Sequence, residues 1–171
     1  MAKAYTISSD PFYVNGNVTM SGANTYTQVE ISLPLDSLNR EGIIVHAVYF
    51  DTSRPEAIAG TTTQMNMQCT STSKTTTVGV NDANLIALRE AIVASPAAGV
   101  LSGPHIFDWL GSDGPYQVKD NLAIIATDNV FLAMASSGYA NAASCNVRLV
   151  CSRIKLSADA YAALVTNELS S

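Results

Sequence analysis

Hydrophobic and polar residues alternate along much of the chain, and the most regular alternation runs from Thr25 to Leu35. In this segment Val29, Ile31 and Leu33 fall on one side of an extended backbone, whereas polar residues such as Glu30 fall on the other. A period of two residues is that of a β-strand with one buried face. The segment is therefore predicted to be an amphipathic strand.

Several other segments carry the same kind of signal. Residues Ile43 to Asp51 are apolar on both faces, which is typical of a central strand or of one covered on its second side. The apolar phase changes near Ser152, which predicts a β-bulge there. Further strands are predicted over residues 62–72, 122–126, 130–135 and 145–156, with a short one between 103 and 114.

The first 24 residues contain turn signals between short apolar pieces. Asn15-Gly16 is a dipeptide that favours a tight turn and stands between two such pieces. Residues 1–24 are accordingly predicted to form an arm or an edge hairpin.

The apolar period becomes helical between Asn81 and Pro96. Leu85, Leu88 and Ile92 would form one stripe of a helix, and Asn81-Asp82 provides an N-cap for it. Because Ser95-Pro96 disfavours further helical backbone, the pattern predicts a helix over about 83–94.

A second helix is predicted at the C-terminal end, over residues 157–169. Ser157 is its N-cap, Asp159 lies near its positive end, and its apolar stripe includes Tyr161 and Leu164. This stripe could pack on the chain's own sheet or on a neighbouring molecule.

Together these elements predict a mainly β fold. About seven or eight strands with turn signals between them fit an antiparallel sandwich or jelly roll, with one inserted helix and a short C-terminal helix. A parallel βαβ arrangement is disfavoured because the helices do not alternate with the strands. No linker or internal repeat interrupts the chain, so residues 1–171 are predicted to be a single β-sandwich domain.

The composition adds a low content of charge to this picture. Charged residues make up 13% of the chain, and uncharged polar runs such as Thr61-Thr62-Thr63 replace them. A partner can cover such a surface without desolvating many ions, although a Thr-rich surface equally suits exposed strands. The formal net charge of −5 provides no basic footprint for direct nucleic-acid binding.

The start of the chain lacks the apolar stretch of a secretory signal, and the longest apolar runs are too short to span a bilayer. These features predict synthesis in the cytoplasm and no transmembrane segment. The three cysteines, Cys69, Cys145 and Cys151, are an odd number, which favours free thiols.

Residues that could carry chemistry are present, but their spacing is not diagnostic. Cys145 lies in phase with Val147 and Leu149, as a small core residue would, and no cysteine or histidine pair has finger-like spacing. His105 and Asp108 form the one close pair of a histidine with an acid. We therefore predict no catalytic residue, no cofactor and no bound metal.

Large apolar side chains outside the predicted core strands are candidates for an interface. Trp is favoured at interfaces because it buries a large area at low entropic cost. The candidate interface residues are Phe107, Trp109, Tyr139, Tyr161 and Leu164.

The C-terminal third carries a resemblance to a known family. A strand at 129–133 is followed by a loop rich in Ala, Ser and Asn, then by Asn146-Val147-Arg148-Leu149-Val150-Cys151-Ser152-Arg153-Ile154-Lys155-Leu156-Ser157 and a short terminal helix. By this pattern, roughly the last 45 residues resemble the closing section of single-jelly-roll virus capsid proteins. The resemblance implies a coat subunit located in the virion, whose partners are copies of itself and other virion proteins. Many such coats have a basic arm, which this sequence lacks.

Two other classes of function remain open. A carbohydrate- or receptor-binding sandwich would present aromatic residues on a concave face, with Tyr26, Trp109, Tyr116 and Tyr139 as candidates. A small hydrolase would use His105 with Asp108.

Overall fold

The structure, a computed structural model, describes residues 5–36, 39–99, 103–110 and 121–169, with the backbone alone for residues 109, 110 and 169. Within these ranges the chain forms ten strands and one helix. In chain order they are β1 (Tyr5–Ile7), β2 (Phe12–Thr19), β3 (Tyr26–Ser32), β4 (Glu41–Thr52), β5 (Thr62–Thr70), β6 (Leu85–Ala94), β7 (His105–Leu110), β8 (Ala123–Ile125), β9 (Asn129–Ser137), β10 (Ser144–Leu156) and α1 (Ala158–Leu169).

The strands form two five-stranded antiparallel sheets. In the sheet that we call the front sheet, β10 has β4 and then β8 on one side, and β2 and β1 share its other side. The sheet that we call the back sheet has the order β3-β9-β5-β6-β7.

The pairings follow a nested scheme along the chain. β2 pairs with β10, β3 with β9, β4 with β8, and β5 with β6, as in one long hairpin. Pairing of β4 with β10 and of β5 with β9 then wraps this hairpin into two sheets. This winding is that of a jelly roll, to which β1 and β7 are added. The predicted mainly β antiparallel sandwich is confirmed.

The main core lies between the two sheets. The strands alternate, so the inward side chains of both sheets meet there, and the largest of them are fully buried, including Met65, Leu132 and Leu149. Burial of an aliphatic side chain contributes about 1.5–3 kcal/mol. This core holds the two sheets together.

The predicted hairpin at Asn15-Gly16 is wrong, because β2 runs straight through both residues and pairs with β10 on either side of them. A Cβ atom on Gly16 would overlap Ile31 Cδ1 and lie 2.8 Å from Leu132 Cδ1. Gly16 is thus explained by the close approach of back-sheet side chains to the backbone of β2, and not by a turn.

The predicted helix at 83–94 is also wrong, because residues 85–94 form β6 in the back sheet. β6 pairs with β5 on one side and with β7 on the other. Leu85 pairs with Thr70, and Ala87 pairs with the adjacent Cys69. Ile86 is therefore an extra residue in β6. This irregularity changes the apolar phase within the strand and makes its pattern resemble that of a helix.

The predicted C-terminal helix is confirmed as α1, and it packs on the outer face of the front sheet. Its partly buried side chains, among them Tyr161 and Leu164, contact a second apolar cluster that contains Ile44 and Ile154. The N–H of Ala160 donates to Ser157 Oγ at 3.3 Å, as expected for an N-cap.

A bulge occurs close to the predicted position but in the neighbouring strand. Val150 lies opposite Ala47 and Cys151 lies opposite Val45, so the extra residue is His46 of β4. The change of apolar phase in β10 has another cause, since Ile154 and its apolar neighbours beyond Ser152 contact α1.

Candidate functional site

In two surface regions of the described chain, two large side chains are exposed to solvent close to each other. The first is on the outer face of the front sheet, where α1 covers one end and leaves the other open. There β2, β10 and β4 line a shallow depression of about 950 Å³. We call it the front groove and define it by Tyr13, Asn15, Asn17, Tyr49, Asp51, Asn146, Arg148 and Val150.

The strand register places these side chains in rows. Directly paired residues of antiparallel strands point to the same face. Arg148 of β10 lies between Asn15 of β2 and Tyr49 of β4. On one side of this row, Val150 lies beside Tyr13. On the other side, Asn146 lies between Asn17 and Asp51.

Contacts within the front groove hold several of its side chains in place. The Arg148 guanidinium lies over the Tyr13 ring, 5.1 Å from its centroid. Arg148 Nε donates to Asn15 Oδ1 at 3.0 Å. Asn17 Nδ2 donates to Asn146 Oδ1 at 2.9 Å. The groove is therefore polar and ordered, and its charged residues, Arg148 and Asp51, are of opposite sign.

Tyr13 and Tyr49 flank these polar groups, and their exposed fractions are 65% and 61%. Neither residue was among the sequence candidates. Tyr13 falls in the wrongly predicted hairpin, and Tyr49 lies beyond the bulge at His46. Strict alternation counted from Val45 would place Tyr49 on the inward face, where Val45 is buried. The extra residue at the bulge places Tyr49 on the outward face instead.

The second region is the edge of the back sheet formed by β7, which we call the β7 edge (His105–Leu110). β7 pairs with β6, and no strand among the described residues pairs with its opposite edge. Ile106 and Phe107 point to opposite faces and are 68% and 61% exposed. The β7 edge thus presents apolar side chains on both faces, beside backbone groups with which no described strand pairs.

An ion pair attaches the β7 edge to the sandwich. Arg89 of β6 donates to the Asp108 carboxylate from Nε at 3.0 Å and from Nη2 at 2.6 Å. Its Nη1 donates to the carbonyl oxygen of Phe50 in the front sheet at 2.7 Å. Hydrogen bonds from Arg89 lower the pKa of Asp108 below its usual value. The stabilisation by this ion pair is fully present at pH values above the usual pKa of an aspartate. It is lost as the pH falls through the lowered pKa of Asp108.

The hypothetical catalytic pair of His105 and Asp108 is not brought together. The two residues are three apart in one strand, so their side chains leave opposite faces of it. The Asp108 carboxylate is also engaged by Arg89.

The candidate interface residues have different surroundings. Phe107 is exposed on the β7 edge, and for Trp109 the structure describes a backbone position opposite Glu90. Tyr139 belongs to the main core with 5% exposure. Tyr161 and Leu164 are partly buried against the chain's own front sheet.

Of the aromatic residues proposed for a carbohydrate-binding face, the two whose side chains the structure describes, Tyr26 and Tyr139, do not form a common exposed surface. Tyr26 donates its hydroxyl to the carbonyl oxygen of Lys74 at 3.0 Å, in the loop that follows β5, and burial raises its pKa. Tyr139 is buried, and Tyr116 lies outside the described residues.

The three cysteines are buried free thiols. Burial raises the pKa of Cys69, and it raises those of Cys145 and Cys151 to about 12. His46 Nε2 lies 3.0 Å from Ser152 Oγ. Within the described residues, no three or more His, Cys, Asp or Glu side chains are grouped as a metal site would require.

No protein-family model matches this sequence, and no curated protein matches it significantly. In the part of the chain that the structure describes, none of the helices is long and apolar enough to cross a membrane.

Proposed function

We propose that this protein is a virus coat protein whose function is to assemble with copies of itself into a closed shell. The observation that carries the proposal is the β7 edge. An edge strand with exposed apolar side chains and no described neighbour on its outer side is a surface for pairing with another chain. A second copy of this chain is the occupant that we propose for it.

The β7 edge has the properties of an interface core. Interface cores are depleted in charge and enriched in aromatic residues, and the β7 edge exposes one uncharged apolar side chain on each face, Ile106 and Phe107. The bidentate Arg89–Asp108 pair holds the strand to the sandwich, so little order has to be gained on binding.

The jelly-roll winding and the composition support the same function. Jelly rolls form viral capsids, but lectins and cupins share the architecture, so the fold alone does not decide. The charged share of 13% limits the number of ions that a shell contact would desolvate. Closed symmetric assembly repeats one contact between identical subunits.

The test is an Ile106→Lys substitution, because a charge on an edge strand opposes edge-to-edge pairing. The wild-type protein is expected to form multi-copy particles, visible in electron micrographs and by analytical ultracentrifugation. The I106K variant is expected to sediment as a single chain, with an unchanged circular dichroism spectrum.

Val80→Lys is the matched control, since Val80 and Ile106 are both 68% exposed. The V80K variant should assemble like the wild type. A wild-type protein that stays a single chain at high concentration, without particles in the expressing cells, would contradict the proposed function. If I106K assembled like the wild type, the β7 edge would not be the contact through which the protein assembles.

A further inference from the structure

We propose that the front groove is a binding site for a neutral oligosaccharide chain. This proposal goes beyond the proposed function and does not rest on it, because the front groove and the β7 edge lie on different sheets. It rests on the observation that Tyr49 and Tyr13 flank a surface formed by amide, guanidinium and carboxylate groups.

The side chains of the front groove match the two kinds of surface on a sugar. A pyranose ring has an apolar C–H face, which packs on an aromatic ring, and hydroxyl groups around its rim, which both donate and accept hydrogen bonds. Tyr49, at 61% exposure, provides a ring for the apolar face. The asparagine amides donate and accept, Arg148 donates, and Asp51 accepts, so each hydroxyl can find a partner.

The dimensions favour a chain over a single sugar. Tyr13 and Tyr49 lie on strands that flank β10 and are offset by two residues along it. Strand spacing and rise place their Cα atoms about 12 Å apart, which is longer than one hexose ring. The volume of about 950 Å³ is at the upper end for ligand sites, and the depression is shallow, so a linear ligand could lie across it.

The charge of the front groove distinguishes a sugar from a nucleic acid. Sites for single-stranded nucleic acid combine stacking residues with an excess of Lys and Arg along the phosphates. Here Arg148 is balanced by Asp51, and asparagines occupy most of the other polar positions. This balance suits a neutral ligand.

The groove is also organised before any ligand binds. Arg148 is fixed by the Tyr13 ring and by Asn15, and Asn146 is fixed by Asn17. All of these residues project from paired strands of one sheet. Side chains that are already ordered lose little entropy on binding, which gives a polar site useful affinity.

The experiment titrates the purified full chain with linear hexasaccharides of glucose, mannose, galactose and N-acetylglucosamine, followed by NMR and calorimetry. A thymidine oligonucleotide serves as the nucleic-acid probe. At least one hexasaccharide is expected to bind the wild type. Its affinity for Tyr49→Ala is expected to be about tenfold lower, because the stacking ring is removed. Tyr49→Phe keeps the ring and should retain most of the affinity.

Phe107→Ala is the matched control, because Phe107 has the same 61% exposure as Tyr49 but lies on the β7 edge. F107A should bind the hexasaccharide like the wild type, whereas Y49A should assemble like the wild type. Should Y49A be poorly folded, Asn146→Ala provides a second test at an exposed position of the same groove.

Three results would overturn the proposal. The first is that no hexasaccharide binds, and the second is that Y49A and N146A bind like the wild type. The third is binding of the oligonucleotide in place of the sugars. Loss of assembly in Y49A with no sugar binding would instead identify the groove as a contact between subunits. Loss of assembly in I106K leaves the sugar-binding result unaffected, so the two proposals fail separately.

Discussion

At the residue scale, Gly16 and Gly138 are required for different structural reasons, although both read as turn signals in the sequence. Gly16 lies within a strand beside back-sheet side chains, whereas Gly138 has a φ of +74° directly after β9. A Cβ on Gly138 would lie 2.6 Å from the carbonyl oxygen of Thr62. The steric demand at either site comes from residues far away in the sequence, so local sequence could not reveal it.

Gly138→Ala is expected to lower the free energy of unfolding by about 1–3 kcal/mol, because it adds backbone strain and a clash. Urea denaturation measures the change. Gly103→Ala is the control, since a Cβ there has no neighbour within 4 Å among the described residues. It should change stability by less than about 0.5 kcal/mol. Equal losses in the two variants would contradict this account of Gly138.

The candidate surface residues show the same dependence on distant structure. Phe107 is an exposed aromatic, as an interface residue should be, and its role in assembly stays a prediction. Tyr49 was missed because a single extra residue, His46, reverses the alternation in β4. Such a bulge depends on the pairing with β10, which lies about a hundred residues further along the chain and which no local pattern reveals.

At the element scale, amphipathic strands were predicted well and β6 was not. Thr25 to Leu35 alternates regularly and contains β3. The β6 segment is rich in Leu, Ala, Arg and Glu, which are good helix formers. Pairing with strands on both of its sides overrides this local preference, since strand propensity depends strongly on tertiary context.

The attachment of α1 depends on a buried carboxylate. Glu168 is 6% exposed and accepts hydrogen bonds from the N–H groups of Ala126 at 3.1 Å and Thr127 at 2.9 Å. Hydrogen bonds to charged groups contribute about 1.5–3 kcal/mol each, and a buried N–H left without a partner is costly. Glu168 therefore anchors the C-terminal end of α1 to the front sheet.

Glu168→Ala is expected to reduce the free energy of unfolding by about 2–4 kcal/mol, because two N–H groups lose their acceptor. Glu168→Gln keeps one acceptor oxygen and should lose about half as much. Thr166→Ala, at an exposed position of the same helix, is the control and should be nearly neutral. Urea denaturation of the three variants gives the comparison, and a neutral E168A would show that α1 is held by its apolar face alone.

At the scale of the whole molecule, the nested pairings connect both ends of the chain to one core. β2 pairs with β10, and Cys151 of β10 and Cys69 of β5 belong to the same buried cluster although they lie in different sheets. Alternation and turn signals predicted the sandwich, but the order of the strands follows from pairings between distant segments. Because its two sheets share one core, we expect the described fold to unfold as a single cooperative unit.

The buried thiols allow this cooperativity to be measured in each sheet separately. Burial and a pKa of about 12 leave Cys151 almost without thiolate at about pH 8, and Cys69 is equally buried. In two single-cysteine variants, with the other cysteines replaced by Ala, pulse labelling across a urea series should show Cys69 and Cys151 becoming reactive at the same midpoint. Labelling in native buffer should be negligible in both. In either variant, a labelling midpoint that differs clearly from the circular-dichroism midpoint of the same variant would mean that one sheet opens without the other, which would contradict the prediction of a single domain.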